Sequence, residues 1–198
     1  MNKKWILIFV VAAAVIFITI YLNQYNDALG SDDTNAGKDE SLSTQTSSSQ
    51  PSKKEAAPQV THPAPSFHLE TVDGAKSYSL EDAKGKPLIL NFWASWCGPC
   101  QDEASGFQGL YQKYKDDVQI YGINLTQKDN VKAAKQFMKT YDLSFPVLMD
   151  KKGKVSEKYW IRPIPTTFFI DADGTIVYVH KGYLKEQKLE RLIQQLIG

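Results

Sequence analysis

Cys97 and Cys100 are the only two cysteines among 198 residues, and they lie three apart. Two thiols at that spacing on the first turn of a helix can close a small disulfide ring and reopen it. They sit in Phe92-Trp93-Ala94-Ser95-Trp96-Cys97-Gly98-Pro99-Cys100, where an apolar strand gives way to a helical pattern. A helix N-terminus brings unpaired N–H groups and a positive partial charge to the first sulfur. That environment favours thiolate over thiol and lowers the pKa from ~8.5 toward ~7 in sites of this type. Pro99 suits the first turn because it has no N–H to lose there. Cys97 is therefore read as the exposed, attacking sulfur and Cys100 as the resolving one. A structural or metal-binding pair is the bland alternative. Two cysteines cannot supply the four thiolates of a zinc site, and no paired histidines stand nearby.

Around that loop the hydrophobic pattern supplies a frame. Leu88 to Trp93 is a compact apolar strand after Gly85-Lys86-Pro87. Phe107, Leu110, Tyr111 and Tyr114 mark one face of the helix that follows the cysteines. Val118 to Asn124 reads as a second central strand. Val131, Ala134, Phe137, Met138 and Tyr141 mark another helix, with Asn130 as its N-cap. A hairpin is expected over Phe67–Leu69 and Lys76–Ser79 around Asp73-Gly74, and another over Phe168–Ile170 and Ile176–Val179 around Asp173-Gly174. Leu189, Leu192, Ile193 and Leu196 give a closing helix. The pattern is an α/β sandwich with a mixed sheet. Lys151-Lys152-Gly153-Lys154 reads as a solvated turn.

Upstream the chain changes character. Lys3-Lys4 precede an unbroken apolar run from Trp5 to Leu22. As a helix this run spans about 27 Å, close to the ~30 Å hydrocarbon core. Lysines before it and Asp27, Asp32 and Asp33 after it put its N-terminus in the cytoplasm and the rest of the chain outside. A cleaved signal peptide competes, with Ala28-Leu29-Gly30 as the cleavage site. The run is longer than the usual 7–15-residue apolar core of such a peptide, so an uncleaved anchor is favoured. From residue 23 to 60, Ser, Thr, Gln, Asp and Lys dominate, and this reads as a disordered linker. A flexible coil of that length reaches about 35 Å. The expected organisation is a cytoplasmic tip at 1–4, a transmembrane anchor at 5–22, the linker at 23–60 and one domain at 61–198. Twenty-three basic against 22 acidic residues give a net charge of +1, which excludes a nucleic-acid partner on charge grounds.

Ile89-Leu90-Asn91-Phe92-Trp93-Ala94-Ser95-Trp96-Cys97-Gly98-Pro99-Cys100 resembles the active-site strand and loop of thioredoxins. More narrowly, the chain resembles the TlpA/ResA-like extracytoplasmic branch of that superfamily. Ala64–Leu69, Gly85-Lys86-Pro87, Phe145–Asp150 and Ile164–Asp171 carry the likeness through the domain. The resemblance implies a thioredoxin-like fold, a central mixed sheet flanked by helices, with an N-terminal β-hairpin extension and a β/α insertion. It also implies that Pro165 is a cis-proline facing the Cys97 loop, with the Ile164 backbone offered to a substrate strand. Trp96, Gly98 and Pro99 would border the same substrate. Thioredoxins carry a buried acid where this chain has Asn91. Glu103, three residues after Cys100, resembles the acid of the extracytoplasmic branch and is read as the proton-transfer group. Ser105 replaces a helix-kinking proline.

The activity so implied is thiol–disulfide exchange in exported proteins, in the reducing direction, with apocytochrome c as one substrate class of the branch. No cofactor beyond the Cys97–Cys100 disulfide is expected. A membrane-embedded electron donor is implied, and the chain is expected to be a monomer. A dithiol oxidase is the alternative enzyme. A copper-delivery module on the same fold would need wider cysteine spacing and a placed histidine, for which His180 is the only far-downstream candidate. His62 and His68 read as solvated or packed. A peroxidase fits poorly, because it would use a lone attacking cysteine in a different loop.

Overall fold

The computed structural model describes residues 55–198, together with Ile16, Ile18 and Thr19. Apart from these three residues and the linker's last six, 55–60, the expected anchor and linker lie outside the described residues. Among the described residues no helix is long and apolar enough to cross a membrane.

The domain opens with an antiparallel hairpin, β1 (His68–Glu70) and β2 (Ser77–Ser79), in which Leu69 faces Tyr78. The turn is held by Asp73, whose carboxylate accepts from the Ala75 N–H and the Thr71 hydroxyl. Then come β3 (Leu88–Trp93), α1 (Gly98–Tyr114), β4 (Gln119–Asn124), a 3-10 turn (Thr126–Lys128) and α2 (Val131–Thr140). The chain finishes with β5 (Val147–Met149), α3 (Lys154–Lys158), β6 (Thr166–Ile170), β7 (Ile176–Lys181) and α4 (Glu186–Ile197). The five-stranded sheet has the order β5-β4-β3-β6-β7. β3 runs parallel to β4 and antiparallel to β6, so the sheet is mixed and β3 is its centre. This is a thioredoxin-like α/β fold.

All six residues of β3 are buried, because helices cover one face of the sheet and the N-terminal segment and α3 cover the other. Side chains alternate along a strand. Ile89 and Trp93 accordingly enter a core with Phe107, Leu110, Phe137 and Leu189, while Leu88, Leu90 and Phe92 enter a second core with Tyr121, Tyr159 and Phe168. Each such aliphatic or aromatic burial contributes roughly 1.5–3 kcal/mol. Asn91 shares the Ile89 and Trp93 face, which points it toward α1. The expected α1 face is present, with Phe107, Leu110 and Tyr114 buried and Tyr111 set edge-on to Phe145 at 5.7 Å. With Ser105 in place of a proline, α1 continues unbroken for 17 residues. Asn130 caps α2 by accepting from the Ala133 N–H at 2.8 Å.

Two elements depart from the sequence reading. β5 lies where the sequence reading places no strand, and the solvated turn at Lys151–Lys154 ends one residue early. Gly153 turns in the left-handed region at φ 68°, and α3 starts at Lys154. Asp150 accepts from the N–H groups of Val155 and Ser156 across that turn. Three strand residues and five helical ones are too few to display a period. At the domain entry, Thr61 donates to Ile176 O and Ala64 to Gly174 O, and the buried Tyr159 hydroxyl donates to Pro65 O. The backbone is tied down slightly upstream of residue 61, since Ala57 N–H donates to Pro63 O at 3.0 Å.

Candidate active site

β3 delivers the reactive loop at its C-terminal end, and α1 begins within it. Cys97 is the N-cap of α1, with extended backbone at φ −83° and ψ 108°. Its Sγ accepts from the Cys100 N–H at 3.3 Å, where a cap would ordinarily offer oxygen. Gly98 and Pro99 form the start of the helix, and no acidic side chain lies in the first turn to offset its positive end. Cys97 and Cys100 are joined as a disulfide, with Cα atoms 5.2 Å apart.

The expectation of an exposed Cys97 is corrected here. Cys97 is 4% exposed, because in the disulfide its sulfur is bonded to Cys100 and enclosed by the helix end that it caps. What stands open is Trp96, Gly98 and Pro99. The Trp96 indole is tethered, donating from Nε1 to Lys128 O at 2.8 Å.

The same loop is clamped from outside by a residue that the sequence reading passed over. Asp129 accepts from Ser95 N–H and Ser95 Oγ–H, both at 2.7 Å, and from the Asn124 amide at 2.8 Å. Burial would raise the Asp129 pKa, but these hydrogen bonds outweigh it and hold the carboxyl below its ordinary value. Gln101 reaches back from α1 to donate to Ser95 O at 2.9 Å. Asp129 lies 34 residues from Ser95 in sequence, and its neighbour Asn130 carried the recognisable capping signal.

Beneath the disulfide lies Glu103, 4% exposed. Its two oxygens are both engaged. Oε1 accepts from Asn91 Nδ2 at 2.8 Å, and Oε2 accepts from the Leu184 N–H at 2.9 Å. Asn91 Nδ2 also donates to Thr167 Oγ1 on β6 at 3.1 Å. Desolvation dominates the two hydrogen bonds and raises the Glu103 pKa to about 7. Glu103 and Cys100 line one small cavity of about 10 Å³, closed by Asn91, Trp93, Phe107 and Phe137.

The register of the sheet brings the remaining expected residues to the same edge. Phe92 pairs with Thr166, so Pro165 lies level with the end of β3, from which the reactive loop departs. The Ile164–Pro165 peptide bond is cis. Pro165 O accepts from Gly182 N–H, whereas the Ile164 backbone makes no hydrogen bond among the described residues. His180 lies on β7 with Nε2 at 3.1 Å from Tyr183 O and Nδ1 at 3.3 Å from Lys188 Nζ. It is not brought to the cysteines by any contact.

Residues 60–179 match the AhpC/TSA family. The chain belongs to that family. Within it, the chain is 41% identical over 141 residues to the thioredoxin-like protein YneN of Bacillus subtilis, covering 71% of this chain and 82% of that one. It is 38% identical over 144 residues to the thiol-disulfide oxidoreductase ResA of Bacillus thuringiensis, covering 72% and 82%. Among solved structures, a thiol:disulfide interchange protein of Chlorobium tepidum matches with a TM-score of 0.63 at 31% identity, over 69% of this chain and 96% of that one. StoA from Bacillus subtilis matches at 0.58 and 32%, over 67% and 100%. Family, fold and the Cys97–Cys100 pair together make this an oxidoreductase of the thioredoxin-like, thiol–disulfide exchanging kind.

Proposed function

We propose that this chain is a membrane-tethered reductase that opens disulfides in exported proteins outside the cytoplasm. The observation that carries the reading is the disulfide at the uncompensated N-terminus of α1, with a buried carboxyl of pKa about 7 one turn beneath it.

In the reduced chain the Cys97 thiolate attacks one sulfur of a substrate disulfide. A new S–S bond forms to Cys97, the substrate bond breaks, and its electron pair leaves on the second substrate sulfur, which takes a proton. Cys100 then gives up its proton to Glu103 and attacks the Cys97 sulfur, expelling the first substrate sulfur as a thiolate, which is protonated in turn. Two electrons and two protons have passed to the substrate, and Cys97–Cys100 is closed. A carboxyl titrating near neutrality is matched to that transfer. The shared cavity is about the size that one bridging water requires. Trp96, Gly98 and Pro99 form the open rim, and the unpaired backbone of Ile164 beside Pro165 can add a substrate strand. The anchor at 5–22 would hold the domain at the membrane, where an embedded donor returns two electrons.

The direction rests on the Gly98-Pro99 dipeptide, which resembles that of reducing thioredoxins. Equilibration of the chain with glutathione or dithiothreitol buffers tests it. The expected midpoint lies near the thioredoxin value of about −270 mV, and a value near −120 mV would make the chain a dithiol oxidase instead.

A further inference from the structure

Trp160 occupies a position made for glycine. It follows α3 with φ 51°, in the left-handed region. Trp160 N–H donates to Glu157 O at 2.9 Å and Ile161 N–H to Ser156 O at 2.8 Å, the paired closure that ends a helix on a left-handed residue. A side chain there costs about 1–2 kcal/mol. Packing does not offset this, because Trp160 is 59% exposed.

The indole instead lines an open groove of about 500 Å³. Lys128, Lys152 and Arg162 line it too, with Glu157 as the only acid. These three cations come from three separate segments: the 3-10 turn, the β5–α3 turn and the loop before β6. All three are exposed, and none makes an ion pair or a side-chain hydrogen bond among the described residues. Lys151, next to them, is by contrast paired with Glu70 at 2.8 Å. The groove is linked to the reactive loop through Lys128. The Lys128 carbonyl holds the Trp96 indole beside Cys97, and Arg162 stands two residues before Ile164.

We propose that this groove is a substrate-selecting subsite. It takes an acidic stretch of polypeptide flanking the substrate disulfide, with the carboxylates on Lys128, Lys152 and Arg162 and an aromatic or long apolar side chain against Trp160. A polypeptide suits the site because an exposed indole adds nothing to the capture of a small anion, whereas it gives a side chain a face to stack on. The assignment rests on the reductase reading for its meaning, and its test is kept separate from that reading.

Two measurements on the full-length chain in detergent decide it. The first is binding of dye-labelled, redox-inert peptides, with serine for cysteine and Asp-Asp-Trp or Lys-Lys-Trp flanks, read by fluorescence anisotropy. The second is kcat/KM for the same peptides as disulfides, normalised to a small neutral disulfide on the same preparation. The acidic peptide is expected to win by about tenfold in both at low salt, and the preference to fade at about 0.5 M salt. Lys128→Glu with Arg162→Glu should invert the preference. Trp160→Gly, which restores the ordinary residue of the helix end and so keeps the fold, should weaken binding of the aromatic peptide about fivefold and leave an Asp-Asp-Ala peptide little changed. Charge-blind binding, or a preference that the charge reversal does not move, overturns the subsite even if disulfides are reduced. So does complete displacement of the peptide by millimolar inorganic phosphate. Binding with the expected preference but no reduction of any disulfide supports the subsite and overturns the reductase reading.

Discussion

Glu103 binds its proton more tightly in the folded chain than in the unfolded one. Its pKa rises from 4.5 to about 7 through burial. Between those values the native state holds a proton that the unfolded state has released. The stability Glu103 contributes is therefore fully present below about pH 4.5 and is lost as pH rises through 7, amounting to about 3 kcal/mol. Glu103→Gln should remove that slope from denaturation curves of the reduced chain measured at pH 5 and pH 8. A wild-type slope no steeper than that of the variant would contradict it. Asn91 makes the substitution tolerable. Its amide donates to Glu103 and to Thr167, and turned over it can accept from a glutamine amide or from a protonated Glu103. Chemically, an ionised Glu103 disfavours nearby thiolates, so Glu103→Gln should lower the apparent thiol pKa and slow disulfide release several-fold. Titration of thiolate absorbance and single-turnover rates check both; unchanged values would reduce Glu103 to a structural acid. In the reduced wild type, limiting iodoacetamide at pH 7 should modify Cys97 more than about tenfold faster than Cys100. Equal labelling would contradict the assigned roles.

At the scale of elements, the reactive loop is held by a contact that no local pattern announces. Asp129, just past the 3-10 turn, fixes the N–H and the hydroxyl of Ser95, and the Lys128 carbonyl fixes Trp96. Asp129→Ala leaves the Ser95 N–H and hydroxyl without a partner and should cost about 1–3 kcal/mol. It should also slow exchange, while Asp129→Asn restores part of both; thermal unfolding and insulin-type reduction rates measure this. An alanine variant with wild-type rates would remove Asp129 from the positioning of the loop. The contrast with what the sequence disclosed is physical. β3, α1, β4 and α2 are long enough to show their period, and the cysteine pair sits at a strand-to-helix junction that local residues define. Glu103 is legible as a candidate because it stands three residues after Cys100, on the same helix face, and resembles the acid of the extracytoplasmic branch. Its partner Leu184, 81 residues away, is not legible in that way, nor is Asp129. β5 and α3 escaped because their burial comes from neighbours rather than from a pattern of their own. Trp160 gave no sign in sequence that it takes a left-handed backbone.

For the whole molecule, the proposed anchor at 5–22 and linker at 23–60 would set where the chemistry acts. Protease added to the outside of intact cells stripped of their wall should release a fragment beginning just upstream of Ala57, where backbone pairing to the domain starts. A soluble mature form beginning at Ser31 would replace the anchor with a cleaved leader. On the proposed function, electrons leave this chain through Cys97 toward exported proteins and Cys100 completes the step. The most direct measurement is to express full-length Cys100→Ser and Cys97→Ser chains, quench cells with acid and alkylating agent, and separate proteins without reductant. The Cys100→Ser chain should accumulate in reductant-sensitive adducts with exported proteins joined at Cys97, and the Cys97→Ser chain should not. Adducts of equal abundance from both variants, or none from Cys100→Ser, would contradict the account.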